Sequence, residues 1–509
     1  MELSCSSNII QAVPLFLVLP LSLYLFFYFF VFHQGQSRKP IAHGLKSYPL
    51  LGHLPQFIKN RHRFLDWVTE IIVRSPNQAM MFHSPGESGI ITANPSHIEH
   101  VLKTNFGNYP KGERSIAILE DFLGCGIFNS DGEQWRWQRK AASFEFNKKS
   151  LRNFVVDAVQ SEILHRLLPL LDNSEKNKTA VDLQDVLERF AFDSICKVAF
   201  GEDPACLTEE GFIGANLRFM KAFEEAQNLV MGRFMGALAA TWKIKKLLNI
   251  GSERQLRDSV STVHDYAMKI ILARKEKDSD RGDDILSRFT SNEDHTNETL
   301  RDIMISFLLA GRETTSSALT WFFWITSTRP DVEKKILEEI RAVRAANLNS
   351  GETFSFDELR EMHYLHAAIS ESMRLHPPVP VGTLLCKEDD VLPDGTLVGK
   401  GWFVTYSAYA MGRSEDVWGT DCEEYKPERW LEKGVFRPES SFRYPVFHAG
   451  PRMCLGKEMA YIQMKSVVAC VFERFRISVV GKESTPEHIL SVTLRMKGGL
   501  PIQLTKRKD

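Results

Sequence analysis

Neither sign of charge is in surplus in this chain of 509 residues: 63 Lys and Arg stand against 64 Asp and Glu, a formal net charge of −1. Without a basic excess the chain lacks the electrostatic footprint of a nucleic-acid binder, and that class of partner is excluded. Paired cysteines are missing too. The eight cysteines (positions 5, 125, 196, 206, 386, 422, 454 and 470) form no C-x-x-C pair, so they suit a reducing compartment with isolated thiols rather than a zinc cluster or a disulfide framework. There is no internal repeat and no long low-complexity tract, which rules out a solenoid. The last absence is local. From Leu3 to Ser37 there is no Asp, Glu, Lys or Arg, and Leu15 to Phe32 is almost entirely Leu, Phe, Tyr and Val. That stretch is long enough to cross a bilayer as a helix.

A cleaved signal peptide and a retained anchor compete for this span. The apolar run is too long for a signal peptide, Glu2 precedes it in place of a positive charge, and no small-x-small site comes before Arg38. Pro14 and Pro20 are tolerated in a membrane span. Arg38, Lys39 and Lys46 follow it, which puts the remainder in the cytosol. The expected layout is a single-pass anchor over residues 1–33, a Pro/Gly linker over 34–60, and a catalytic domain over 61–509.

What is present beyond the anchor is mainly helical. Ala79 to Thr92 alternates and breaks at Ser84-Pro85-Gly86, which predicts a hairpin before a helix from Pro95. From Trp135 to Ile340 the pattern is helical, with polar loops expected at residues 172–178 and 276–298. Val391 to Met411 reads as strands around a turn at Asp394-Gly395, and Phe475 to Thr505 as short C-terminal strands. The expected class is mainly α with a minor β-sheet, in one large domain.

One loop stands out, Phe447-His448-Ala449-Gly450-Pro451-Arg452-Met453-Cys454-Leu455-Gly456. Gly450 and Gly456 allow sharp turns and close approach to a flat ligand, and an amphipathic helix is predicted from Lys457. Cys454 then sits before a helix N-terminus, where free N–H groups favour a thiolate, the ligand a haem iron takes. Read alone, Cys454 is a small buried hydrophobe, and only its surroundings turn it into a ligand. A long apolar helix is predicted from Leu300 to Thr328, capped by Thr299 with Asp302 and stopped by Pro330. It contains Ala310-Gly311-Arg312-Glu313-Thr314-Thr315, where the Thr314 hydroxyl can bond the Ala310 carbonyl. An acid and an alcohol there can relay protons, and a helix-packing patch is the competing reading. Glu371 and Arg374 lie at i and i+3, and Trp135 and Arg139 at i and i+4, on predicted helices.

These motifs, in this order, resemble the cytochrome P450 family from about residue 40 to the end of the sequence. The resemblance implies that Cys454 is the metal ligand, the axial thiolate of haem b. It implies that Trp135, Arg139, Phe447 and Arg452 bind the cofactor, and that Glu313 and Thr314 serve catalysis in oxygen activation. Glu371, Arg374 and Arg429 resemble the family's buried charge triad. Electrons would come from NADPH through NADPH-cytochrome P450 reductase at the endoplasmic reticulum membrane, with the catalytic domain facing the cytosol.

Lys111 to Arg114, Asp121 to Asn129 and Phe447 to Met464 resemble the plant terminal (omega) hydroxylase branch. Members of that branch oxidise the end methyl of fatty acids, hormone conjugates or sterol side chains. Fatty-acid users carry an acidic residue where this sequence has Gly382-Thr383, so the expectation is a wider pocket mouth at Gly382 and a sterol-like lipid accepted at the C-26 type position. Ile116, Ile118, Leu119 and Phe122 are expected to line the pocket, with Phe307, Val381, Gly382 and Leu494; Lys111 or Arg114 would hold a polar head. Arg136, Lys140, Lys148 and Lys149 would form the reductase-docking face. A hydroperoxide-rearranging enzyme of the same fold and a non-catalytic haem sensor are the rival readings.

Overall fold

The computed structural model describes residues 22, 24, 45–146, 149–236, 239–276, 285–290, 296–347, 351–481 and 485–507. The expected anchor, apart from Ser22 and Tyr24, lies outside the described residues. No helix among the described residues is long and apolar enough to cross a membrane. Residues 45–60, expected to be linker, pack on the body: Leu45 is buried, and Phe57 in the helix Leu54–Asn60 meets Trp67 edge-on at 5.1 Å.

The helices that build the site are α1 (Glu113–Leu123), α2 (Gly132–Phe146), α3 (Leu183–Phe200) and α4 (Gly214–Phe234). They are followed by α5 (Ala239–Leu248), α6 (Ser252–Glu276), α7 (Asn297–Ser327), α8 (His363–Leu375) and α9 (Lys457–Arg474). α7 is the axis of the body. It is buried along almost its whole length and packs against α3, α6, α8 and α9. A helix apolar on all sides is stable only inside a core, where each large side chain gains roughly 1.5–3 kcal/mol from burial. Trp321, Phe322 and Phe323 are each 1% exposed.

α7 begins one turn earlier than its periodicity predicts. Thr296 is the cap, accepting from the Thr299 amide at 3.2 Å, while Asp302 instead accepts from the Cys125 amide at 2.9 Å. The loop expected over 172–178 is mostly helical, since Leu168–Asn177 forms a helix that ends at Lys178 in the left-handed region. Its polar residues cover a solvated helix face rather than break a helix.

The main sheet comprises β1 (Ala79–Ser84), β2 (Glu87–Thr92), β4 (Val381–Leu385) and β5 (Phe403–Ser407), in the order β1-β2-β5-β4, and β3 (Val181–Asp182) belongs to a second sheet. β1 and β2 form the predicted hairpin, and only the β2–β5 pairing is parallel. The second sheet joins β6 (Phe475–Val479) and β9 (Pro501–Lys506) to β3, and β7 (His488–Leu490) pairs with β8 (Leu494–Met496) beside α7. The protein is therefore mainly helical with small sheets.

Candidate active site

The loop before α9 is folded tightly on itself. The Cys454 amide donates to the Phe447 carbonyl at 2.8 Å, closing the turn that holds the thiol. Gly450 has φ +63°, and a Cβ there would lie 1.9 Å from the Leu102 carbonyl, so glycine is required for a contact within the protein. At Gly456 a Cβ would be 3.9 Å from the Cys454 sulfur and 3.8 Å from the Phe146 ring, ordinary contacts that leave room beside the thiol. Burial pushes the Cys454 thiol up, opposed by the Gly456 amide, Arg139 and Lys457. The helix start therefore tempers the desolvation of this thiol without overcoming it.

Cations crowd this loop. Arg452 stacks over the Trp135 ring at 4.4 Å, pairs with Asp131 at 2.6 Å, and donates to the Ser130 carbonyl at 3.1 Å. Arg139, expected to bind the cofactor with Trp135, donates to the Met453 carbonyl. Lys457 sits 5.7 Å over the Phe447 ring. A small cavity of about 30 Å³ is lined by Lys111, Thr383, Tyr406, His448 and Arg452, among others. Burial, then repulsion from Arg452, lowers Lys111 to about 8. His448, bonded through Nδ1 to the Tyr406 hydroxyl, is pushed down to about 4 by burial and by Lys111, Arg452 and Arg139.

This donor set fits haem. A half-buried thiol suits the iron, and Arg452 keeps a buried Nε without a partner beside Lys111 and Arg139, cations suited to the acidic groups of a porphyrin. Sequence reasoning missed Asp131, which accepts from the Lys111 and Gly112 amides at 2.9 Å and so ties the start of α1 to Arg452. Its only signal was position, directly before the helix carrying Trp135.

On α7 the Thr314 hydroxyl donates to the Ala310 carbonyl at 2.6 Å. Glu313 is buried, and its Oε1 lies 2.6 Å from Arg312 Nη1 without hydrogen-bond alignment. Arg312 also reaches Glu188 at 3.4 Å, and Glu188 pairs with Arg495 at 2.7 Å, a buried ion cluster with no forewarning in local sequence. Gly311 serves packing, because a Cβ there would fall 2.5 Å from Ile195 on α3.

Glu371 is the hub of the charge triad. It accepts from Arg374 at 2.7 and 2.8 Å and from Arg429 Nε at 2.8 Å, with its side chain and that of Arg374 fully buried. Two unpredicted donors complete it: the Trp430 indole at 2.9 Å and the Lys426 amide at 2.9 Å. Full pairing is the condition under which a buried carboxylate is tolerated.

The expected pocket residues lie on α1, α7, β4 and β8. Ile118 and Phe122 are buried on α1, where Phe122 meets Phe223 edge-on at 5.1 Å, and Ile116 and Leu119 are half-buried on the same helix. Phe307 stacks on Phe146 at 5.8 Å, whose ring faces Gly456. Leu494 is fully buried, its carbonyl accepting from Ser317 and Trp321, and Val381 is half-buried on β4.

Gly382 was expected to widen the pocket mouth; it faces Tyr406 across β4 and β5, where a Cβ would lie 2.3 Å from the tyrosine ring, and both residues line the small cavity beside His448 and Arg452. Arg114 is committed as well, pairing with Glu87 and lying 5.1 Å over the Phe403 ring. Of the expected docking face, Arg136 and Lys140 are exposed on α2, Arg136 pairing with Glu133. Lys148 lies outside the described residues, as does the side chain of Lys149.

Known proteins are similar to this chain over most of its length. The Cytochrome P450 family model matches residues 42–501. Cytochrome P450 CYP94D108 of Paris polyphylla is 50% identical over 458 residues, covering 90% of this chain and 91% of that protein. Cytochrome P450 94A1 of Vicia sativa is 45% identical over 474 residues, covering 91% and 90% respectively. Cytochrome P450 94C1 of Arabidopsis thaliana is 46% identical over 447 residues, covering 87% and 89%.

Proposed function

Since the chain belongs to the cytochrome P450 family, and is thus a monooxygenase using haem b and reductase-supplied electrons, we propose that it hydroxylates the terminal methyl of a lipid chain. The observation that carries the chemistry is the half-buried Cys454 thiol, facing Arg139 and Lys457 in a loop whose Arg452 retains an unpartnered Nε. Bound there, haem b supplies the insertion of one oxygen atom from O2 into an unactivated C–H bond.

The protein's own residues hold, orient and protonate. Cys454 would ligate the iron, Arg452, Arg139 and Trp135 would hold the propionates, and Phe447 would pack on the macrocycle. Thr314 donates its hydroxyl hydrogen bond to the Ala310 carbonyl and keeps that proton, leaving its oxygen lone pairs free to accept from and orient a donor. Glu313, on leaving its contact with Arg312 and taking a proton from water, would pass that proton toward the donor that Thr314 orients. This acid–alcohol pair supports a monooxygenase over a hydroperoxide-rearranging enzyme. The triad around Glu371 would brace the cysteine loop against α8.

For the substrate, the omega position of a fatty acid and the C-26 type position on the side chain of a sterol are both terminal methyls. With Tyr406 occupying the space beside Gly382, the straight chain is the better fit. We place the body on the cytosolic face of the endoplasmic reticulum membrane behind an anchor at residues 1–33, with the linker segment over 34–60 packed from residue 45 onward on the catalytic domain over 61–509. The exposed Arg136 and Lys140 would meet an acidic reductase surface. The test is purified enzyme with plant reductase and NADPH, offered fatty acids and hydroxylated sterols, with products located by mass spectrometry. Oxidation confined to internal carbons of the lipid would overturn the reading.

A further inference from the structure

α1 is gripped at both ends by ion clusters. At its start, Asp131 takes the Lys111 and Gly112 amides and pairs with Arg452, which ties that end to the cysteine loop. At its far end the grip is a single guanidinium, Arg233 in the last turn of α4, whose side chain is 2% exposed. Its Nη1 donates to the backbone carbonyl of Ile118 at 2.7 Å, and its Nη2 to Asp121 at 2.7 Å and to Glu253 of α6 at 2.6 Å. Its Nε reaches Glu253 at 3.2 Å. The indole of Trp242 on α5 lies 4.5 Å from the guanidinium carbon, and Lys246 of the same helix reaches Asp121 at 2.8 Å.

Four helices thus converge on one side chain, and the contact that matters most is with backbone. The Ile118 carbonyl gives one lone pair to the helix, and the second goes to Arg233. The guanidinium fork therefore fixes the height of α1 at the turn carrying Ile118 and Phe122, in a way that a flexible point charge does not reproduce.

We propose that Arg233 is a positioning residue that sets which carbon of the lipid is oxidised, by fixing α1 relative to the cysteine loop. The inference rests on the reading above that α1 lines the pocket. Terminal attack is unusually demanding of geometry, because a misplacement of about 1 Å can cost on the order of a hundredfold.

The test compares Arg233→Lys, Arg233→Met, Asp121→Asn and Phe122→Ala with the wild type, using dodecanoic acid as the probe. Asp121 is partly exposed and its amide variant leaves the buried Arg233 in place, so it decides the matter should Arg233 variants not fold. We expect the ratio of terminal to subterminal product to fall at least threefold in both Arg233 variants, and less in Asp121→Asn. Hydrogen exchange over residues 113–123 should rise while α9 stays protected. If Phe122→Ala shifts the ratio and no change at Arg233 or Asp121 does, the positioning role is wrong and the pocket reading stands. An unchanged ratio in every variant would overturn both.

Discussion

At the scale of single residues, Cys454 faces Arg139 and Lys457, Arg452 pairs with Asp131, and the Thr314 hydroxyl bonds the Ala310 carbonyl. Gly382 was read as an opening, but its meaning depends on Tyr406, 24 positions away in the sequence and directly opposite in the sheet. No local pattern reports such a pairing. Gly382→Asp should therefore lower stability by about 1–3 kcal/mol through overpacking, without trading one lipid class for another. Urea unfolding beside a substrate screen checks this, and a stable variant with altered lipid preference would restore the opposite view. For Thr314→Ala, the expected result is intact haem binding with peroxide released and less product per NADPH consumed, since the proton arrives without orientation. Unchanged coupling would reduce Thr314 to a packing residue.

At the scale of elements, periodicity located α7 and the β1–β2 hairpin, while caps and tertiary partners decided the details. Asp302 looked like part of a helix cap, yet it holds the loop at Cys125. The triad was visible as Glu371, Arg374 and Arg429, but the indole of Trp430 belongs to it equally. Its donor role was hidden because it depends on the fold that brings Trp430 to Glu371 across 59 positions of sequence. Glu371→Gln leaves two arginines, one fully buried, without their countercharge and should cost roughly 3–5 kcal/mol. Trp430→Phe removes one hydrogen bond to a charged group and should cost less, about 1.5–3 kcal/mol. Denaturant midpoints of the two variants give the comparison, and equal losses would mean that indole packing dominates.

At the scale of the whole molecule, class and family were readable from the order of the motifs, and the ion clusters joining distant helices were not. Acid sensitivity follows from such burial. His366, held between Phe436 and Tyr461 at 3.9 and 4.0 Å, is pushed down to about 2, and His448 to about 4, chiefly by burial. Both stay neutral in the fold, whereas in the unfolded state they take up protons below about 6.5. Stability is therefore complete above that pH and falls as the pH drops toward 4, by up to about 1.4 kcal/mol per unit for each group. His366→Phe should flatten this acid limb in denaturation at pH 7.5, 6 and 5, and parallel slopes would show that His366 does not contribute. The most direct test of the central claim is the absorption spectrum of the reduced protein under carbon monoxide. Wild type should show the red-shifted band of a thiolate ligand and Cys454→Ala should lose it, while the same band in Cys454→Ala would put the iron on another cysteine and contradict the account.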